Sequence, residues 1–319
     1  MTNLNDATEF VSSEQPNRRD FMKTAGALGL GAAFPALIQG ANPTGNPLPE
    51  VTLGSHRISR LIVGSNQMLG YSHLSELVSQ MMSEYFTEDR IASFLRHCEE
   101  VGIKTFQSSF DPKLDRALKK YREAGGKLQW ICLANNDEFT DDPSMKALIS
   151  THHPIAIVHH GGRTDTFFRN KNMDPVKEYL KRVRDHGVLV GLSTHNPAVP
   201  VFVEENHWDI DLFMTCLHRV TRTPDELKTQ MGYETVGEPF FKEDPPAMCK
   251  VIRQVKKPCL AFKILAAGRY CGSDQETESR FQFAFENIKK TDAVIVGMFP
   301  MLSDQAAKNA EYTRKYAAL

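Results

Sequence analysis

The sequence predicts the α/β class and, within it, a single (β/α)8 TIM barrel. Three observations lead there. Short apolar runs alternate with longer amphipathic segments along most of the chain. Glycines stand just ahead of several of the apolar runs. Polar residues gather where the runs end.

The eight apolar runs are Arg60–Gly64, Lys104–Ser108, Leu128–Leu133, Ile155–His159, Leu189–Ser193, Leu212–Leu217, Cys259–Ile264 and Ala293–Gly297. Each is short enough for a buried strand of a parallel sheet. Helical periodicity marks Thr87–Val101, Lys113–Ala124, Asp174–His186, Pro246–Val255 and Glu276–Lys289, and a last helix spans Ser303–Ala317. Thr87 and Asp174-Pro175 read as helix starts, because a threonine oxygen caps free N–H groups and proline suits the first turn. Gly102, Gly125 and Gly187 read as helix stops. Arg219 to Asp244 is an unusually long connection between strands 6 and 7. It is expected to cover the active face, with Gly232, Gly237, Tyr233, Phe240 and Phe241 suited to a lid.

The N-terminus is a separate matter. Asn17-Arg18-Arg19-Asp20-Phe21-Met22-Lys23 precedes an uncharged stretch from Thr24 to Ile38, the pattern of a twin-arginine export signal. The expected organisation is a signal peptide over 1–41, a Pro/Asn/Gly-rich linker over 42–50 and the barrel over 51–319. The protein is thus expected outside the cytoplasm, in the periplasm or otherwise exported, with the twin-arginine machinery as a partner. The apolar run is too short and too weak for a stable membrane span after processing.

A formal net charge of -1 leaves no basic stripe for nucleic acid. The 6 cysteines follow no metal-binding spacing, and Cys132, Cys216 and Cys259 sit inside apolar runs as buried free thiols.

In a barrel, strand residues alternate between the interior and the helix layer. On the expectation that bulky side chains face the helices, the interior faces are Ile62, Gly64 and Asn66; Thr105, Gln107 and Ser109; Ala156, Val158 and His160; and Gly191, Ser193 and His195. In strand 7 the same rule puts Cys259, Ala261 and Lys263 inward. The chemistry then collects at the C-terminal mouth, where barrel enzymes build their sites. His159-His160-Gly161-Gly162-Arg163 is the strongest cluster, with a glycine pair that lets backbone approach a ligand and an arginine that can clamp an anion. His195-Asn196 and His218 end the next two strands. Three histidines, His160, His195 and His218, suit either a divalent metal with an open position or metal-free acid/base roles. An inward Lys263 suits carbonyl polarisation, a Schiff base or a structural salt bridge, and Arg269 suits an anion.

Val51-Thr52-Leu53-Gly54 through Leu61-Ile62-Val63-Gly64, Gly102-Ile103-Lys104-Thr105-Phe106, and Ala293-Val294-Ile295-Val296-Gly297 with Asp304, Gln305 and Asn309 resemble the aldo/keto reductases over roughly Val51 to Leu319. That resemblance implies an opening hairpin, a (β/α)8 barrel, NAD(P) as cofactor and His159 in the place of the catalytic histidine. The rest of the family's Asp, Tyr, Lys and His set is unmatched. Gln107 stands near the expected aspartate, Phe110-Asp111-Pro112 occupies the Tyr-Gly region, and strand 3 ends Cys132-Leu133-Ala134-Asn135 without a lysine.

The expected function is therefore acid/base chemistry, with or without a metal, on a small polar carbonyl or sugar-like substrate: isomerisation, epimerisation or elimination. His159, His160, His195 and Lys263 are the catalytic candidates. Asn66, Gln107, Arg163, Asn196, His218 and Arg269 are the substrate-binding candidates. A divergent NAD(P)-dependent reductase and a non-catalytic carbohydrate-binding barrel are the alternatives.

Overall fold

The computed structural model describes residues 47–134 and 142–318. The signal segment, most of the linker and Asn135 lie outside them. Eight parallel strands form a closed barrel: β3 (Leu61–Gly64), β4 (Thr105–Ser109), β5 (Gln129–Ala134), β6 (Ala156–His159), β7 (Leu189–Thr194), β8 (Leu212–Cys216), β9 (Cys259–Phe262) and β10 (Ala293–Gly297), with β10 closing onto β3. Each lies within two residues of its expected apolar run.

Two further strands, β1 (Glu50–Leu53) and β2 (His56–Ser59), pair antiparallel outside the barrel. Their Val51, Leu53 and Ile58 pack with Ile62, Ile131, Val158, Leu212, Met214, Leu260 and Ile295 in one apolar cluster. The hairpin therefore plugs the N-terminal end, as an opening hairpin would. Leu48, in the expected linker, is buried in the outer core.

Eleven helices are present among the described residues: α1 (Glu76–Tyr85), α2 (Glu88–Glu100), α3 (Pro112–Glu123), α4 (Asp142–His152), α5 (Gly161–Arg169), α6 (Asp174–Asp185), α7 (Ala198–Glu205), α8 (Pro224–Met231), α9 (Asp244–Gln254), α10 (Asp274–Asn287) and α11 (Gln305–Tyr316). Thr87 caps α2 by accepting the Arg90 N–H, and Pro175 sits in the first turn of α6. Gly102, Gly125 and Gly187 all have positive φ, the backbone a helix stop requires.

Strand parity follows expectation on β3, β4, β6 and β7. On β9 it is inverted: Leu260 and Phe262 belong to the interior cluster, and Cys259 and Ala261 to the helix-facing one. Leu260 and Phe262 fill the interior with Ile62, Met214 and Ile295 in one apolar cluster. Lys263 reaches the mouth by another route. The strand ends at Phe262, and Lys263 adopts φ 57. Ala266 and Ala267 follow with φ 48 and 53. Left-handed backbone at non-glycine residues costs about 1 kcal/mol each or more, and such strain concentrates at functional sites.

The expected lid is partly helical. α8 starts with a capping box in which Thr223 and Glu226 satisfy each other's backbone N–H, and Gly232 ends it with φ 84. At its root, Asp244 accepts two hydrogen bonds from Arg222 and one from the Arg219 N–H.

Candidate active site

On the β6 and β7 side, the residue after β6 is His160, which is the N-cap of α5. Gly161 and Gly162 are thus the first turn of a helix rather than a flexible loop. Gly161 is required by close approach: a Cβ there would lie 2.9 Å from Ser193 Oγ and 3.0 Å from the His195 ring. Further along the helix, Asp165 is 3 % exposed. Its Oδ2 accepts from His195 Nδ1 at 3.0 Å, the His195 backbone N–H at 3.0 Å and Thr221 Oγ1 at 2.9 Å, and its Oδ1 accepts from Thr194 Oγ1. Burial pushes this carboxyl up, but the bonds from His195 and Thr194 outweigh it and hold the group below its ordinary value. A carboxylate satisfied in this way fixes the ring and makes Nδ1 the proton-bearing nitrogen, leaving Nε2 as the basic one.

His160 is held uncharged: burial, then His195 and Arg163, push its pKa down to about 4. Its Nδ1 is buried and has no partner.

On the β8 and β9 side, His218 is 1 % exposed, its ring lies 5.0 Å from that of Phe240, and neither ring nitrogen makes a well-formed hydrogen bond, the backbone of Phe241 being the nearest partner. Burial first pushes its pKa down to about 4 as well. Lys263 lies near enough to lower both histidines and to act on Cys216 and Glu238 electrostatically. Glu238 comes from the lid. Its Oε1 accepts from His73 Nδ1 at 2.7 Å, and His73 Nε2 accepts from Asn66 Nδ2 at 2.9 Å, so one relay ties the lid to the loop after β3. Glu238 Oε2 is buried and unpartnered. Arg269 holds the lid from outside: its guanidinium lies 3.9 Å over the Phe240 ring, and Nη1 donates to the His73 carbonyl at 3.2 Å. Asn66, Gln67, His73, Gln107 and Lys263 line a cavity of about 300 Å³ at the mouth.

The expected residues therefore divide. Asn66, His160, His195, His218, Gln107 and Lys263 gather at the mouth. His159 does not: odd parity turns it to the helix layer, where it is 7 % exposed, bonds Thr164 at 2.7 Å and packs edge-on to Tyr179 at 5.4 Å. Burial pushes it down to about 3. Arg163 lies on α5 close enough to act on both His159 and His160. Asn196 faces sideways and caps α7 through the Ala198 N–H. Arg269 is engaged in holding the lid.

The metal expectation is corrected. Among the described residues no three His, Cys, Asp or Glu side chains are placed to hold an ion. His160, His195 and His218 therefore do not form the expected ion site. Gln305, Lys308 and Asn309 between β10 and α11 line the same mouth cavity; Lys308 pairs with the exposed Asp274, and Gln305 Oε1 accepts the Phe299 N–H.

Sequence reasoning missed Asp165, His73 and Glu238. Asp165, an acid on a helix, matches no motif by itself. Its one signal was its place, in the first turns of the helix that leaves the His-His-Gly-Gly strand end.

Comparison with known proteins identifies the N-terminus. The TAT (twin-arginine translocation) pathway signal sequence family matches residues 15–35. The chain carries a twin-arginine signal and is exported by that route. No helix among the described residues is long and apolar enough to cross a membrane. No curated protein matches the chain.

Solved structures similar to it include the Amycolatopsis orientalis BexX/CysO complex, at 15% identity and TM-score 0.48, covering 85% of this chain and 93% of that one. A truncated 3-deoxy-D-arabino-heptulosonate 7-phosphate synthase from Thermotoga maritima is similar at 13% and 0.47, covering 85% and 90%. An aldo/keto reductase from Brucella melitensis is similar at 14% and 0.45, covering 83% and 93%.

Proposed function

We propose that this exported barrel is an enzyme that moves a proton next to the carbonyl of a small, polar, sugar-like molecule. The observation that carries the reading is the buried His195–Asp165 pair at the barrel mouth. In the proposed step, His195 Nε2 takes the proton from the carbon beside the carbonyl. The C–H electron pair moves into an enolate, and the Lys263 ammonium stabilises the charge developing on its oxygen. Return of the proton from His195 to the former carbonyl carbon, as the proton of the adjacent hydroxyl passes to the enolate oxygen, isomerises the substrate.

The polarity of the substrate follows from unmet hydrogen bonds. His160 Nδ1, both nitrogens of His218, Glu238 Oε2 and Gln67 Oε1 are buried without well-formed hydrogen bonds. Each costs about 1–3 kcal/mol when left unsatisfied, and a ligand rich in hydroxyls supplies the missing donors and acceptors. Asn66 and Gln107 stand where they would orient such hydroxyls.

The test is solvent exchange. The folded protein is incubated in deuterated water with a panel of aldoses, ketoses and uronic acids, and proton NMR follows the hydrogen beside the carbonyl. The expected result is exchange that is lost in His195→Ala and strongly reduced in Lys263→Ala. Binding of a sugar without exchange across the panel would overturn the enzymatic reading in favour of a carbohydrate-binding barrel. Nicotinamide absorbance on the purified protein would favour the reductase.

A further inference from the structure

A second cavity, of about 550 Å³, has Asp165 in its wall and none of the residues that line the first. Its walls come from the end of α5, the start of α6, α7 and the segment after β8. One part is apolar. Phe168 and Phe202 meet edge-to-face at 5.5 Å, and the buried Met173 completes this surface.

The other part is basic: Arg169, Lys171 and Arg219. Two acids line it as well, but their charge is spent or peripheral. The oxygens of Asp165 are taken by His195, Thr194 and Thr221, and Asp174 is exposed in the first turn of α6. The arginines retain donors. Arg219 Nε is buried without a partner, while its Nη2 pairs with Glu226. Arg169 makes only long bonds, both at 3.3 Å, to the Thr221 carbonyl and Thr166 Oγ1. A guanidinium with unfilled donors beside an aromatic wall recognises an anion on a flat apolar body.

We propose that this cavity is a second binding site, for a small molecule carrying a carboxylate or phosphate on an aromatic or similarly flat body. Arg169, Arg219 and Lys171 take the anionic head, and Phe168, Phe202 and Met173 take the body. The inference stands apart from the carbonyl chemistry at the mouth, with which the site shares only the wall formed by Asp165.

Calorimetric titration of the folded protein with phenyl phosphate and with benzoate tests it, with benzyl alcohol as the uncharged control. The expected result is saturable one-to-one binding of at least one anion. Arg169→Gln and Arg219→Gln should each weaken it about tenfold, as the loss of a charge-assisted hydrogen bond does. Arg169 is exposed, so its variant keeps the test open should Arg219→Gln fold poorly. Preference for phenyl phosphate or for benzoate assigns the head group. Four outcomes overturn the proposal: no saturation in the millimolar range, equal binding of benzyl alcohol, affinity unchanged in both arginine variants, or binding lost in Lys263→Ala, which would put the probe in the mouth. Lys263→Ala should strongly reduce solvent exchange and leave this binding intact, so the two sites fail separately.

Discussion

The two ends of the barrel treat buried polar groups in opposite ways. At the N-terminal end, Arg60 is 4 % exposed and donates to the carbonyls of Asp292, Lys289 and Ala317. Asp292 is fully buried, accepts the N–H groups of Cys259 and Lys289, and meets the Lys289 ammonium at 3.2 Å. Ser59 both donates and accepts. Thr105 Oγ1 is an unpartnered exception there, a single hydroxyl rather than a charge. At the C-terminal mouth, His160, His218 and Glu238 keep unfilled hydrogen-bonding atoms around an ammonium. The satisfied end holds the barrel together. The unsatisfied end is where a ligand gains most by arriving.

The sharpest way to break that contrast is His195→Ala. Solvent exchange should fall by about 10²–10⁴-fold with the fold intact, the loss expected for a positioned general base. Exchange that survives would remove the dyad from the chemistry. Next in size, Asp292→Ala should cost about 3 kcal/mol in urea unfolding, because it strands two buried N–H groups and the Lys289 ammonium. A loss under 1 kcal/mol by the same measurement would show that the closed end is not held as described.

Acid should act through the mouth. Burial pushes His160 and His218 down to about 4 in the folded protein, against an ordinary 6.5, and His159 in the helix layer down to about 3. The unfolded chain therefore binds more protons between these values, and stability falls as pH drops from about 6.5 toward 4. The slope reaches about 1.4 kcal/mol per pH unit for each histidine. His218→Phe should flatten that decline. It should also raise stability near neutrality by about 1 kcal/mol, since an unpaired imidazole gives way to a ring packed on Phe240. Lower stability in His218→Phe would mean that the orphaned nitrogens have partners in solution. Smallest of all, His73→Ala cuts the relay from Asn66 to Glu238, which is partly exposed. It should change stability by less than about 1 kcal/mol and raise KM more than it lowers kcat. An unchanged KM would detach the lid from substrate binding.

The comparison also shows what could be read before folding. The barrel was legible because buried strands need short apolar runs and helices need their stops, and Gly102, Gly125 and Gly187 supply those stops. His160, His195 and His218 were legible as strand-end residues. Lys263 was placed at the mouth for the wrong reason: the parity of β9 is inverted, and a left-handed turn delivers the side chain. Asp165 and Glu238 were not legible, since an acid on a helix or a lid looks like any solvated carboxylate until its neighbours are known.

The chain alone determined its export, through adjacent arginines ahead of an uncharged run, and its alternation of strands and helices, through local periodicity. Both depend on neighbours in sequence. Only the tertiary structure decided which polar groups are satisfied. That depends on residues as far apart as Asn66 and Glu238 or Arg60 and Ala317, and the energy of a buried polar atom is set by the partner it meets in space.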